Sequence, residues 1–290
     1  MPTGKSKLPN GIRTIAVNGY EMAYLECGRG TSLVLIHGSL NDYRAWTFQM
    51  EVFGEHFRTI AVSLRHSYPE CWNGDGGMFS VGQHADDLAG FIKKLGAGPV
   101  HLIAHSRGGD VALILAAKHP ELVHRMVLAD PAPLDQMLPK APDAIAEIEN
   151  RKTFVTAAVE RLQHGDVDGG LELFIDAVSM PGHWSKLDES AKQARRDNAW
   201  SLKNLVTDAQ TPFNSKDAGK IDAPILLLTG DRSPRLYAMM HAALRPHLKR
   251  HQMITIPNAS HGMYTENPGA FNAAVLDFLK TITPVTASPG

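Results

Sequence analysis

Short apolar runs recur along this sequence with helical patterns between them, and this alternation constrains the fold more than any other feature. Each run has strand length and is nearly continuous in apolar residues, which is typical of strands buried on both faces. The runs are Leu33–Ile36, Thr59–Val62, Val100–Ile103, Met126–Leu128, Ile225–Leu228 and Met253–Ile256. Strand and helix in alternation predict an α/β fold with a mostly parallel sheet and helices on both faces.

One connection interrupts the alternation, because 93 residues, 131 to 223, separate the run before Asp130 from the run after Pro224. Connections in α/β units usually have about 2 to 6 residues, so this stretch should form a lobe of its own. Apolar residues with helical spacing occur at 154–162, at 171–178, and from near Asp188 past Trp200 to Val206. We predict an inserted helical cap.

The chain therefore divides into a core, a cap and a tail. The predicted ranges are 1–131 for the first part of the core, 132–217 for the helical cap, 218–283 for the second part of the core and 284–290 for a flexible tail. Four aromatic residues of the cap are candidates either for lining a pocket or for packing the cap against the core. They are Phe154, Phe174, Trp184 and Trp200.

Composition and charge exclude several classes of protein. Of the 290 residues 43% are hydrophobic, too many for a disordered chain, and the formal charge of -1 creates no field that attracts nucleic acid. The two cysteines, Cys27 and Cys71, lack the spacing of a zinc site or a disulfide framework. No complete dinucleotide-binding or zinc-protease motif occurs. We expect no cofactor, no metal and no nucleic-acid partner, and the sequence leaves the oligomeric state open.

The sequence also carries no predicted membrane segment. Its beginning has no apolar stretch of the secretory type, and its longest apolar run, Val111–Ala117, is far shorter than the roughly 18 residues that span a bilayer. We therefore expect a cytoplasmic protein without membrane association.

The strongest chemical signal follows the run at Val100. The strand leads into Ala104-His105-Ser106-Arg107-Gly108, a small-x-Ser-x-Gly turn, and a mostly apolar helix follows. A turn this tight forces the serine into a strained backbone conformation, so the residues two before and two after it must be small. The helix N-terminus beneath the serine favours developing negative charge. This context predicts that Ser106 is a nucleophile.

With this turn the chain resembles the α/β-hydrolase family over nearly its whole length. The sequence His37-Gly38-Ser39 matches the His-Gly turn after the third strand of that family, and Ser63-Leu64-Arg65-His66 takes the place of its Asp-x-Arg-Gly turn, with departures. Ala104 replaces the usual first glycine of the nucleophile turn. The resemblance implies a hydrolase that uses a nucleophile, an acid and a histidine.

The resemblance places the general base at His261. This residue follows the last apolar run and precedes the terminal helix, which is where the family brings its histidine to the sheet edge. An imidazole has an ordinary pKa near 6.5, so it accepts the Ser106 proton and returns it at neutral pH.

The acid has two candidates. The common position in the family is the third residue after the glycine that ends the Ile225 run, and here that position is Ser233. Asp231 comes two residues too early for its carboxylate to point the same way. Asp130 lies directly after the preceding strand, where some members carry their acid. We favour Asp130 over Asp231 as the acid that orients His261.

The resemblance implies an oxyanion hole made by the backbone N–H groups of Ser39 and Arg107. A serine nucleophile does not suit dehalogenases and epoxide hydrolases of this fold, which attack saturated carbon with an aspartate. The prediction is therefore a carboxylesterase that acts on small to medium esters, with lactones and thioesters included and a small-molecule ester as its partner. The alternatives are hydrolysis of a carbon–carbon bond in a ring-cleavage product, perhydrolysis, and, more distantly, a receptor for a small ligand.

Overall fold

The computed structural model describes residues 11–281 apart from 76, 78, 135 and 208–210, so the predicted tail at 284–290 lies outside the described residues. The strands are β1 (Arg13–Val17), β2 (Tyr20–Cys27), β3 (Ser32–Ile36), β4 (Arg58–Val62), β5 (Val100–His105), β6 (Val123–Ala129), β7 (Ile225–Gly230) and β8 (His251–Ile256). Within the described residues they form one sheet in the order β1-β2-β4-β3-β5-β6-β7-β8. Along this order, each pair of neighbouring strands from β4 to β8 is parallel. The predicted fold class is confirmed.

Helices cover both faces of the sheet. They are α1 (Thr47–Gly54), α2 (Val81–Leu95), α3 (Arg107–Lys118), α4 (Pro142–Gln163), α5 (Val167–Val178), α6 (His183–Lys186), α7 (Glu189–Asp197), α8 (Ser201–Thr207), α9 (Ser215–Ala218), α10 (Arg235–Leu244), α11 (Met263–Glu266) and α12 (Pro268–Lys280). Side chains of β3 alternate between two cores: Val34 packs with α2, α3 and α10, whereas Leu33 packs with α1, α11 and α12. In the described part of the chain, no helix is both long and apolar enough to cross a membrane.

The antiparallel hairpin of β1 and β2 was not predicted from the sequence. These strands mix polar and apolar residues, so they lack the continuous apolar run that marks the parallel strands. The turn between them is Asn18-Gly19, with positive φ values of 47° and 72°. Asn-Gly is the preferred pair for a two-residue hairpin turn, so a usable signal was present. At the opposite edge, β8 is mostly half-buried or exposed, so the expectation of burial on both faces is wrong for this strand.

The residues between β6 and β7 form helices α4 to α9, and α4, α5, α6 and α8 enclose an apolar cluster of their own. The third helix predicted for this region is broken into α7 and α8, so the expectation of one continuous helix is wrong. Asn198 lies at the break, and its side chain donates to Asp42 at 2.7 Å and accepts from the Tyr68 amide at 2.8 Å. These bonds to the core anchor the cap where the helix ends.

Candidate active site

Ser106 lies on the sharp turn between β5 and α3. Its backbone angles, φ 52° and ψ −127°, fall outside the regions that an ordinary L-residue prefers. The turn is packed closely, because a Cβ on Gly108 would overlap the His37 carbonyl, and one on Gly38 would lie 2.8 Å from the Ser106 Cβ. The Ser106 amide donates to the Ala129 carbonyl at 3.0 Å, which ties the turn to β6. The strained serine is thus held from several sides.

His261 follows β8. The loop that carries His261 is held by His105, the residue before the nucleophile. His105 Nε2 donates to the His261 carbonyl at 2.8 Å, and the two rings pack with centroids 4.4 Å apart. Burial, followed by the neighbouring His261, lowers the pKa of His105 well below its ordinary value, so the His105 ring stays neutral. A neutral ring can donate this bond without placing a second positive charge beside His261.

The carboxylate that faces His261 belongs to Asp130. Asp130 directly follows β6 with φ 40°, and its side chain is fully buried. The His261 Nδ1 atom lies 3.4 Å from Asp130 Oδ2. The sheet therefore brings together three of the predicted residues, Ser106, His261 and Asp130.

Two further groups donate to the Asp130 carboxylate. Ser233 Oγ donates to Oδ2 at 2.6 Å, and His241 Nε2 lies 3.3 Å from Oδ1. Burial works to raise the pKa of Asp130, but the hydrogen bonds from His241, His261 and Ser233 outweigh it and hold this pKa well below its usual range. Ser233, the position at which the resemblance implies the common acid, instead supports the acid on the neighbouring strand.

The alternative acid, Asp231, lies away from His261. Its side chain is exposed and accepts hydrogen bonds from the amides of Asn258 and Ala259 at 2.9 and 3.1 Å. These bonds organise the loop that leads from β8 to His261. Asp231 therefore supports this loop, and among the described residues its carboxylate bonds to these amides and not to the imidazole.

Tyr237, on α10, contacts both the serine and the histidine. Its hydroxyl lies 3.1 Å from His261 Nε2, the ring nitrogen opposite Asp130, and the neighbouring Ser106 side chain works to lower the pKa of this hydroxyl. The phenol ring stacks on the imidazole, with centroids 4.1 Å apart and planes 12° apart. Burial, followed by the charge of Asp130, raises the pKa of Tyr237, so the hydroxyl keeps its proton. No motif around Tyr237 marks this role in the sequence.

Both residues predicted to supply the oxyanion hole line the cavity beside Ser106. This space, called here the catalytic cavity, has a volume of about 80 Å³, and Ser39, Ser106, Arg107, Tyr237 and His261 are among its walls. The Arg107 guanidinium turns to His84 Nδ1 at 2.7 Å and packs 4.2 Å over the Phe79 ring. The side chain of Arg107 is buried in this position.

One of the four cap aromatics lines the catalytic cavity, namely Phe174. Phe154 packs against it with ring centroids 6.0 Å apart, and Trp184 is buried in the cap cluster. Trp200 packs against the loop at Gly74. The aromatic content of the cap therefore serves mainly its own packing.

A parallel sheet with a strained serine at a strand–helix turn, a histidine beyond the last strand and a buried carboxylate defines the α/β-hydrolase class. The profile of the Alpha/beta hydrolase family matches residues 33–274, and the chain belongs to this family.

Individual relatives are distant and differ in activity. Epoxide hydrolase 3 of Xenopus tropicalis is 25% identical over 91% of this chain and 76% of its own length. The (E)-2-((N-methylformamido)methylene)succinate hydrolase of Acinetobacter baylyi is 26% identical over 89% of this chain and 94% of its own. Among solved structures, a thermophilic esterase from Thermogutta terrifontis is similar with a TM-score of 0.70 and 25% identity, covering 93% of this chain and 97% of its own.

Proposed function

We propose that the protein is a serine hydrolase, a carboxylesterase that acts on small to medium esters through an acyl-enzyme on Ser106. The observation that carries the proposal is the line from Ser106 through Tyr237 to His261 and on to Asp130 at one edge of the sheet. A hydroxyl, an imidazole and a carboxylate in this order are the parts that serine hydrolases use to attack a carbonyl carbon.

Asp130 holds the imidazole in the state that the reaction needs. Its low pKa keeps the carboxylate ionised at neutral pH, so it accepts the Nδ1 proton of His261. The Nε2 atom is then free of its own proton and acts as the base. The same carboxylate stabilises the imidazolium that forms when Nε2 takes a proton.

In our proposal the Ser106 proton reaches His261 by way of Tyr237. The Ser106 hydroxyl donates to the Tyr237 oxygen while the Tyr237 hydroxyl donates to Nε2, so two protons shift along the line as Ser106 Oγ bonds to the ester carbon. His261 becomes an imidazolium, and the tyrosine ends neutral. The imidazolium then protonates the departing alkoxide, and water hydrolyses the acyl-enzyme by the same path.

The negative oxygen of the tetrahedral intermediate is assigned to the N–H groups of Ser39 and Arg107. Arg107 begins α3, so its N–H lies at the positive end of the helix dipole, and Ser39 follows the glycine that packs against Ser106. Such donors typically contribute on the order of 10² to 10³ in turnover.

The serine also favours ester chemistry over the epoxide chemistry of one relative. Opening an epoxide in this fold uses an aspartate that attacks saturated carbon, whereas the nucleophile turn here carries Ser106.

The experiment is turnover of a p-nitrophenyl ester series of increasing acyl length, from pH 6 to 9, by the wild type and by Ser106→Ala. We expect kcat to rise with pH as the catalytic base loses its proton, and to be lost in the variant while its fold is unchanged. Ser185→Ala is the matched control, because Ser185 is an exposed cap serine that bonds the Gly182 carbonyl. Full esterase activity in Ser106→Ala, or no turnover of any ester by the wild type, would overturn the proposal.

A further inference from the structure

The cap supplies positive charge to the catalytic cavity. Arg151 on α4 and Arg195 on α7 both line this cavity, opposite the core residues Ser106 and His261. Both arginine side chains are half-buried. Among the lining residues that the structure describes, no aspartate or glutamate is present. Arg107 also lines the cavity, but its guanidinium is held by His84. The cavity therefore combines a nucleophile with the two guanidinium groups of the cap, and its described lining holds no aspartate or glutamate.

These two arginines also lack ion-pair partners within the part of the chain that the structure describes, unlike their neighbours in the cap. Arg196, the next residue to Arg195, binds Asp168 at 2.7 Å and Glu189 at 2.5 Å. Arg44, beneath α7, binds Asp42 and Asp197. Acidic residues are thus available on α7 and around it, yet they pair with Arg196 and Arg44 and not with Arg195.

The charge of Arg195 acts on the histidines around the nucleophile, since it helps to lower the pKa of His105 and of His183. Glu266, which lies 3.9 Å from the lining residue His183, accepts from the amide and the hydroxyl of Ser260 at 2.8 and 2.6 Å and so supports that loop. Burial, opposed by Glu266 and assisted by Arg195, lowers the pKa of His183, another lining residue. His183 thus adds little positive charge at neutral pH, and the arginines remain the main cations.

Arg151 also lies at the boundary with a second space. A side chamber of about 280 Å³ shares Arg107, Ala132, Pro133 and Arg151 with the catalytic cavity. Its other walls are largely apolar, formed by α2, α4 and α8, with Asp110 and Lys152 as charged members. A substrate longer than the small cavity can extend along this chamber and still lie beside Arg151.

We propose that the substrate is an ester that carries a second, ionised carboxylate, and that Arg195 and Arg151 bind this carboxylate while Ser106 attacks the ester. This inference rests on the proposed esterase function. A guanidinium fork matches a carboxylate with two parallel hydrogen bonds, and partial burial strengthens the attraction relative to bulk water. Binding the substrate also offsets the cost of keeping two unpaired cations half-buried.

The test compares esters that differ only in charge. The probes are the mono-4-nitrophenyl esters of straight dicarboxylic acids from succinate to suberate, each beside its neutral methyl ester, with self-hydrolysis subtracted. For the best chain length we expect the wild type to prefer the anionic ester in kcat/KM by at least tenfold. Arg195→Gln should reduce this preference by about ten- to a hundredfold, the range for a lost charge-assisted hydrogen bond, and Arg151→Gln should reduce it as well. Arg196→Gln is the matched control and should leave the preference unchanged.

A binding measurement separates this inference from the proposed function. Calorimetric titration of Ser106→Ala with the free dicarboxylates needs no turnover, and we expect binding that weakens when Arg195→Gln is added. Binding without hydrolysis of any ester would refute the esterase proposal and support the carboxylate site. Hydrolysis with equal kcat/KM for both esters, and no dicarboxylate binding, would refute only the carboxylate site.

Discussion

Replacing Asp130 by asparagine tests the acid of the proposed triad. One Asp130 oxygen faces His241 at 3.3 Å, and the other faces both Ser233 at 2.6 Å and His261 at 3.4 Å. Every neighbour is a donor, so whichever way the new amide turns, its NH₂ group meets a donor. If the NH₂ group faces His261, it favours the tautomer with the proton on Nε2, which cannot act as a base.

The expected loss is large because the base is removed. In a serine triad with a correct fold but the wrong histidine tautomer, kcat falls by about 10⁴, which corresponds to about 5.4 kcal/mol in the activation barrier. The assay is kcat at saturating p-nitrophenyl ester and pH 8. Because breaking a buried charge pair also costs roughly 3 to 5 kcal/mol of stability, circular dichroism must show that the variant is folded at the assay temperature.

Asp231→Asn is the matched control for this experiment. Asp231 is exposed and supports two loop amides, so the variant should keep kcat within about fivefold, since one hydrogen bond is worth roughly 1 kcal/mol. A folded Asp130→Asn enzyme that keeps a tenth or more of the wild-type kcat would refute the reasoning. So would an Asp231→Asn variant that loses as much as Asp130→Asn.

Three further changes test the proton path, the nucleophile turn and the buried histidines. Tyr237→Phe removes the hydroxyl between serine and histidine and should lower kcat by about 10²-fold, the lower range for general acid–base catalysis, whereas an unchanged or higher kcat would contradict the path. Gly108→Ala should lower the free energy of unfolding by about 1 to 3 kcal/mol in urea titrations, because the added Cβ overlaps backbone atoms. Gly269→Ala is the control and should leave it unchanged, because Gly269 faces open space. Equal urea midpoints for the two variants would contradict the close packing of the nucleophile turn. Burial lowers the pKa of His37 and of His101 to about 4. Between pH 6.5 and 4 these two histidines take up a proton only in the unfolded chain. The free energy of unfolding should therefore fall by roughly 1.4 kcal/mol per pH unit for each histidine as the pH drops through this window. A urea midpoint that does not change with pH would contradict this prediction.

The nucleophile turn and the histidine could be read from the sequence because the chemistry there is local. A buried strand, a small-x-Ser-x-Gly turn and an apolar helix are contiguous, and the chain order brings His261 to the same sheet edge. Asp130 could be favoured because it directly follows β6, which pairs in parallel with the nucleophile strand β5. The carboxyl ends of neighbouring parallel strands lie at the same edge of the sheet.

The residues that surround Ser106, His261 and Asp130 could not be predicted from the sequence in this way. Tyr237 and His241 lie one helical turn apart on α10, and only the packing of that helix brings them to His261 and Asp130. Arg151 and Arg195 lie on different cap helices, and what distinguishes Arg195 from Arg196 is the position of partner acids in space. Such relations depend on how the cap folds over the core, and no sequence spacing encodes them.

The most direct test of the central claim is covalent labelling of the nucleophile. The protein is treated with a fluorophosphonate, which phosphorylates activated serines, and the intact mass and the labelled peptide are determined for the wild type, Ser106→Ala and Asp130→Asn. We expect one adduct per chain, on Ser106, none in Ser106→Ala, and much slower labelling in Asp130→Asn. An adduct on another residue, or equal labelling of Ser106→Ala, would contradict the assignment of Ser106 as the nucleophile.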